Sequence, residues 1–128
     1  MMLEANWPRV PIAKGRFREK MVPLQKLVIL NKLDEKGIPT GGSVRGLGIA
    51  IAWQDGALGR DGDRKAQTGA YVEDVLGACL DRLKYYQGTR FSCPENVLAI
   101  SLIEGSLEWL RKRTEDREKR LVEGTHNP

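Results

Sequence analysis

The chain has few of the residues that metal chemistry and membrane insertion require. Its 128 residues include two cysteines and one histidine, too few for a closed zinc site, because such sites take four nitrogen or sulfur ligands. No apolar run approaches the roughly 20 residues of a membrane helix, and the basic start lacks the apolar stretch of a signal peptide. These absences predict a cytoplasmic protein with no metal ion or other cofactor.

The remaining composition is that of one small globular domain. Hydrophobic residues make up 41% and charged residues 30%, which excludes a wholly disordered chain. The formal net charge of +4 favours an anionic partner. Within a single domain at 1–128 we expect a basic arm at 1–22, a strand and turn rich core at 23–68, a helical hairpin at 69–121 and a tail at 122–128.

The first half of the chain carries the pattern of a small sheet. An apolar run at Leu24 to Asn31, followed by a turn signal at Asp34 to Gly37, predicts one strand. A second strand is predicted where large side chains alternate with glycine and alanine, at Leu47, Ile49, Ile51 and Trp53. The rest of the glycine-rich stretch 37–62 is expected to be mostly turns.

The second half carries the pattern of two helices. Apolar residues at spacings of three and four fill 72–86 and 97–110, so each stretch predicts a helix with one apolar stripe. Gly88 is a natural stop for the first helix, and Ser92 with Glu95 has the spacing of a capping box for the second. The short loop makes the helices antiparallel neighbours. The predicted fold is therefore α+β: a small N-terminal antiparallel β-sheet followed by a C-terminal antiparallel helical hairpin.

Candidate ligand-binding residues lie at both ends of the hairpin. Arg113, Arg117 and Arg120 form a basic stripe whose guanidinium groups suit phosphate oxygens, although cations near a helix C-terminus also complement its dipole. At the other end, Tyr85, Tyr86 and Phe91 crowd the hairpin turn, where one ring is expected in the core and another is free to stack on a base. Asn96, in the first turn of the second helix, offers an amide to a ligand edge.

The two ends are too far apart for one small ligand in one copy. Asn96 and Arg113 are about 17 residues apart, or roughly 26 Å of helix, which no mononucleotide spans. If both contact the same ligand, they come from different chains whose hairpins lie antiparallel. The sequence therefore predicts a two-fold homodimer with two equivalent pockets.

No set of residues has the pattern of an active site. The glycine-rich stretch lacks the lysine-serine or lysine-threonine pair that ends a P-loop motif. Cys93, at a predicted helix start, has no histidine near it in sequence to act as a base. We therefore predict no catalytic residue and no enzymatic activity.

Several motifs of the second half carry a resemblance to a known family. They are VEDV, RLKYYQ, C-x-EN-x-LAI, LEWLRKRTEDRE and EGTH, all within Tyr71 to His126. This run closely resembles the helical hairpin of the Thoeris anti-defence protein 1 family, phage proteins that act as sponges for cyclic ADP-ribose isomers. The resemblance implies a protein that binds such a signal in the host cytoplasm without cleaving it, and so blocks Thoeris immunity.

The resemblance also implies roles for individual residues. By position, Tyr86 resembles the aromatic that stacks on the base, Asn96 the amide contact, and Arg113 with Arg117 the pyrophosphate arginines. The family forms dimers, and some members form hexamers that hold cyclic oligonucleotides at other interfaces. Arg90 is the candidate anion contact for such a second site, although a solvated arginine is the plainer interpretation.

Two positions predict where the second helix ends and where it packs closely. Leu121 stands where the family more often has glycine, so the helix is expected to continue past it. Gly105 costs a helix about 1 kcal/mol relative to alanine, which indicates close packing there.

The sequence is also compatible with different functions. The anti-CBASS protein 2 family has the same hairpin and binds cyclic dinucleotides, so the chain could be a sponge for cyclic di- or trinucleotides. Ser101 and Leu102 replace the threonine and lysine usual in that hairpin, which counts against cyclic dinucleotides. A small basic nucleic-acid-binding protein and an adaptor that only dimerises are two further candidates. The expected partners are a small cyclic nucleotide and a second copy of the chain, with no membrane and no nucleic acid.

Overall fold

Three strands and two helices form the described part of the protein. The computed structural model describes residues 24–128, so the predicted arm at 1–22 lies outside the described residues. The strands are β1 (Val28–Leu33), β2 (Pro39–Gly46) and β3 (Ile49–Ala52), and the helices are α1 (Val72–Gln87) and α2 (Pro94–Lys119). A single 3₁₀ turn at Asp61–Asp63 lies between them. The predicted α+β fold is confirmed.

The strands form one antiparallel sheet in the order β1-β2-β3. Ile29 pairs with Val44, and Val44 pairs with Ile51, so one sheet face carries a row of apolar side chains. No Cα atom of a strand lies within 8 Å of a Cα atom of either helix. The helices therefore make no close backbone contact with the sheet, although Asn31 and Trp53 at one end of this face line a cavity together with Arg113 of α2.

Strand β2 lies where the glycine content predicts turns, so that prediction is wrong. Gly42 has φ 137°, and a Cβ atom there would run into the carbonyl oxygen of Leu30 on β1. Glycine is required because it lets the two backbones pass so close together. The glycines of β2 therefore mark a tight strand pair, which sequence patterns cannot distinguish from loop glycines.

Glutamine side chains hold the loops by paired hydrogen bonds to the backbone. Gln25 Nε2 donates to the carbonyl of Leu47, and Gln25 Oε1 accepts from the Leu47 N–H, in the turn between β2 and β3. Gln54 accepts from the N–H groups of Thr68 and Gly69 just before α1. These bonds attach irregular segments to the sheet without using apolar contacts.

A third glutamine closes the helical hairpin. Gln87 Oε1 accepts from the N–H of Cys93 at 3.0 Å, and Gln87 Nε2 donates to the Cys93 carbonyl at 3.1 Å. Cys93 is the residue before the first turn of α2, and no side-chain capping bond is present there. The predicted capping box of Ser92 and Glu95 is therefore wrong, and the turn depends on Gln87 instead.

Helix α2 ends where the sequence predicts that it continues. It stops at Lys119, and Leu121 follows with φ 59° in the left-handed region. The N–H of Leu121 donates to Glu118, and the N–H of Val122 donates to Arg117, which is the usual bonding of a glycine-terminated helix. Leucine thus occupies a position whose backbone conformation glycine adopts without strain.

None of the described residues is fully buried in a single copy. The helices contact each other through half-buried residues of α2, including Ile100, Ile103, Leu107 and Leu110. Neither helix is long and apolar enough to cross a membrane within the part of the chain that the structure describes.

Gln87→Ala should lower the free energy of unfolding by about 1–3 kcal/mol, because it leaves the Cys93 N–H without its acceptor and removes one of the two donors to the Cys93 carbonyl in a half-buried turn. Urea denaturation at one fixed protein concentration measures the change. Lys84→Ala, at an exposed position on the same helix, is the control and should change it by less than about 0.5 kcal/mol. If both variants changed the free energy of unfolding equally, the hydrogen bonds from Gln87 to Cys93 would not be what stabilises the turn.

Leu121→Gly should raise the free energy of unfolding by about 0.5–1 kcal/mol, because it removes the strain of a leucine at φ 59°. Leu121→Ala keeps that strain and should bring no gain. Thermal unfolding of both variants and of the unmodified chain measures whether the glycine variant is the most stable of the three. A glycine variant less stable than the alanine variant would show that the left-handed conformation is not what costs stability.

Candidate functional site

The predicted ligand residues fall into two groups at opposite ends of the hairpin. Tyr86 is in the last turn of α1, Arg90 is in the connecting turn, and Asn96 is in the first turn of α2. Arg113 and Arg117 lie near the other end of α2, which has 26 residues and is therefore about 39 Å long. One copy of the chain brings each group together but does not join the two groups.

The arginine group lines two adjoining cavities of about 410 and 660 Å³. These cavities lie between the loop after β3, the start of α1, the end of α2 and the C-terminal tail. Both are lined by Gly56, Ala57, Tyr71, Val72, Arg113, Arg117 and Thr125. Residues from these four segments thus line a concave surface large enough for a small ligand.

Ion pairs hold one wall of these cavities in place. Arg60 donates to both carboxylate oxygens of Glu118 at 3.2 and 3.3 Å. Arg64 lies 2.9 Å from Glu123 in the tail. Each pair is partly exposed, so each contributes little to stability by itself. Together they fasten the loop after β3 to the end of α2 and the tail.

Arg117 is engaged by the tail. Its Nη1 donates to the carbonyl of Asn127 at 2.9 Å, and its Nη2 donates to the carbonyls of Val122 and Thr125, both at 3.1 Å. Arg120 is held in a similar way by a carboxylate one turn earlier and by a tail carbonyl. The tail at 122–128 is therefore docked on the end of α2, where Arg117 and Arg120 of the basic stripe hold it.

Arg113 is the stripe arginine that remains available. It makes no hydrogen bond or ion pair with any residue of 24–128, although it lines both cavities. Glu73 and Glu123 line the smaller cavity, and Glu123 is already paired with Arg64. An anion entering beside Arg113 would therefore meet a cation whose donors are unused.

The turn end presents a tyrosine with one face covered. The Arg82 guanidinium lies 4.9 Å from the centre of the Tyr86 ring and 5.0 Å from that of Tyr85. Its Nε also donates to the Tyr86 hydroxyl at 3.1 Å. Sequence analysis missed Arg82, although its position one helical turn before Tyr86 is the signal that predicts this contact.

Asn96 and Arg90, at the same end of the hairpin, both lie close to Phe91 and have few partners of their own. Asn96 Nδ2 is 3.5 Å from the carbonyl of Phe91, at the outer limit of a hydrogen bond. The Arg90 guanidinium lies 5.2 Å from the centre of the Phe91 ring. The turn end therefore offers an aromatic face, an amide and a cation, while the other end offers Arg113.

Potential metal ligands are scattered across the described residues. Within 24–128, no three His, Cys, Asp or Glu side chains are grouped as a metal ion requires. Both cysteines, Cys79 and Cys93, are free thiols.

Comparison with known proteins gives a match to a phage protein. No family model matches the chain. The curated protein Thoeris anti-defense 1 of Bacillus phage SBSphiJ7 is 48% identical over 58 residues, which are 45% of this chain and 41% of that protein. The aligned segment thus spans less than half the length of its relative. Over those residues the predicted resemblance to the Thoeris anti-defence protein 1 family is confirmed.

Proposed function

We propose that this protein counteracts the Thoeris defence system of an infected bacterium by holding its nucleotide signal, a cyclic ADP-ribose isomer, without cleaving it. The observation that carries the proposal is Arg113, a cation without a partner among the described residues, in a cavity whose other arginines are already bonded. The name of the phage relative supports the pathway. The protein would act in the host cytoplasm, where the signal is made.

Sequestration requires tight binding but no acid, base or nucleophile. A nanomolar dissociation constant corresponds to about −12 kcal/mol. Guanidinium bonds to a pyrophosphate and stacking of adenine on Tyr86 are interactions of the strength required. Arg82 already covers one face of that ring and fixes its hydroxyl, so less conformational freedom is lost when a base stacks on the other face.

The two ends of the hairpin would meet in a homodimer. Helix α2 has a second apolar face, opposite the face that contacts α1, formed by Leu98, Leu102 and Trp109, which are 66, 74 and 72% exposed. Their spacings of four and seven place them on one stripe with Gly105. An exposed apolar stripe of this kind is typical of a surface that another copy covers.

Gly105 marks where two such helices would cross. It lies close to the midpoint between Leu102 and Trp109, and also between Asn96 and Arg113. A two-fold axis at Gly105 would therefore bring the turn end of one copy level with Arg113 of the other. Nothing lies within 4 Å of a Cβ atom built at Gly105, so the expected close packing is absent within one copy. A second helix would account for the glycine.

Binding to a nucleic acid polymer fits the structure less well. The basic stripe is the feature that favours it, but Arg117 and Arg120 are occupied with the tail. Within the stripe, Arg113 is the one arginine whose donors are unused among the described residues, and a single such group suits a compact anion better than a polymer backbone. A second site for cyclic oligonucleotides at Arg90, in a hexamer, remains a prediction from the resemblance.

Arg113→Ala should abolish retention of cyclic ADP-ribose isomers while the protein stays folded, because Arg113 supplies donors to the ligand and none to the described residues. Calorimetry with a panel of isomers and of cyclic di- and trinucleotides measures affinity. Chromatography of heat-released ligand checks that it returns intact. Arg111→Ala is the matched control, because Arg111 pairs with Glu108 and Glu115 on the surface.

Three outcomes would overturn parts of this proposal. Unchanged affinity in Arg113→Ala would remove that arginine from the site. Ligand released as a hydrolysed product would indicate an enzyme. Binding that falls steeply with salt and grows with polymer length, with no affinity for the cyclic nucleotides, would favour a nucleic-acid-binding protein.

Gly105→Arg should convert the dimer to a monomer and lower ligand affinity at least a hundredfold, because a long side chain prevents helix contact at the crossing point. The same change removes a helical glycine and should not destabilise the isolated protomer, since a Cβ atom there meets nothing within 4 Å. Analytical ultracentrifugation measures the mass of the particle in solution and so distinguishes a monomer from a dimer. Glu104→Arg, one position away and off the stripe, is the control and should remain dimeric.

A further inference from the structure

We propose that Tyr71 is a ligand-contacting residue of the Arg113 cavity, with its phenol hydroxyl donating a hydrogen bond to a phosphate or ribose oxygen of the bound nucleotide. This inference rests on the proposed function and adds to it. Neither the charge pattern nor the family motifs single out Tyr71 as a ligand residue. It places an aromatic side chain at the arginine end of the hairpin, in addition to the one at the turn end.

The position of Tyr71 is what points to this role. It immediately precedes α1, is half-buried and lines both cavities together with Arg113. Tyr71 therefore gives each of the two cavities an aromatic residue beside the available cation Arg113 of the same copy, and Trp53 lines the larger cavity as well. A nucleotide held there by its phosphates would have its sugar or base within reach of the ring.

The backbone of Tyr71 is firmly held. Its N–H donates to Asp74 Oδ2 at 2.8 Å, and its carbonyl accepts from the Asp74 N–H at 3.1 Å. Gln67 Nε2 donates both to the same carboxylate and to the carbonyl of Gly69. The Cα position of Tyr71 is therefore fixed before a ligand binds, which reduces the backbone entropy lost on binding.

The hydroxyl of Tyr71 is available and protonated. It makes no hydrogen bond within residues 24–128. Desolvation by the surrounding protein raises the pKa of Tyr71, with smaller opposing and reinforcing effects from Arg64 and Glu123. A tyrosine with a raised pKa keeps its proton at neutral pH, so it can donate to an anionic oxygen beside Arg113.

Tyr71→Phe should weaken binding of cyclic ADP-ribose isomers about tenfold, the loss expected for one hydrogen bond to a charged group. Tyr71→Ala should weaken it further, because the wall of the cavity is lost as well. Isothermal titration calorimetry measures both. Ser43→Ala, which removes a hydroxyl from a β2 residue that lines neither cavity, is the control. Thermal unfolding of Tyr71→Phe should match that of the unmodified chain.

The result separates this inference from the proposed function. If the unmodified protein binds the ligands and Arg113→Ala does not, yet Tyr71→Phe binds as tightly as the unmodified protein, the hydroxyl is not a contact and the sponge function stands. If the unmodified protein binds none of them, the proposed function itself is wrong. A tenfold loss together with a lower unfolding temperature would show a structural role instead.

Discussion

The described part of the structure depends on one constraint: residues 24–128 of one copy complete too little burial by themselves. A chain of this length normally hides about two thirds of the surface that its unfolded form exposes, yet no described residue is fully buried here. Ile29 on the apolar face of the sheet and the stripe of Leu98, Leu102 and Trp109 on α2 stay exposed among the described residues. Hydrophobic burial is the main favourable term in folding, so association with another copy would supply what the protomer lacks.

Polar contacts partly take the place of a core. Glutamine side chains bond to backbone groups in the turns, and Arg117 binds three tail carbonyls. Such bonds fix direction as well as distance, so they can hold loops in place where apolar packing is sparse. The cost is that these cations and amides are used for structure. This is why a stripe of three arginines leaves Arg113 alone for a ligand.

Periodicity predicts the helices and β3 well, and Gly88 correctly predicts the end of α1, but neither β2 nor the two ends of α2 are predicted. The stripes of α1 and α2 follow from side-chain spacing, which depends on the local sequence alone. Strand β2 depends on Gly42 passing against the carbonyl of Leu30, a contact with a distant part of the chain. The end of α2 at Leu121 and the role of Gln87 are likewise set by tertiary contacts. These contacts leave no periodic signal.

The sequence predicts which residue types line the candidate site, but not which of their hydrogen-bond donors are left unused by the rest of the protein. Sequence spacing places Arg113 and Arg117 on one stripe and predicts equal roles, whereas the structure shows that the tail takes the donors of one and leaves those of the other. A guanidinium bound to three carbonyls holds the cavity wall, and its replacement would move the tail before it affected any ligand directly. Under the proposed function, Arg117 and Arg113 would therefore affect binding by different physical routes: Arg117 by holding the tail that borders the cavity, and Arg113 by the charge it places in the lining.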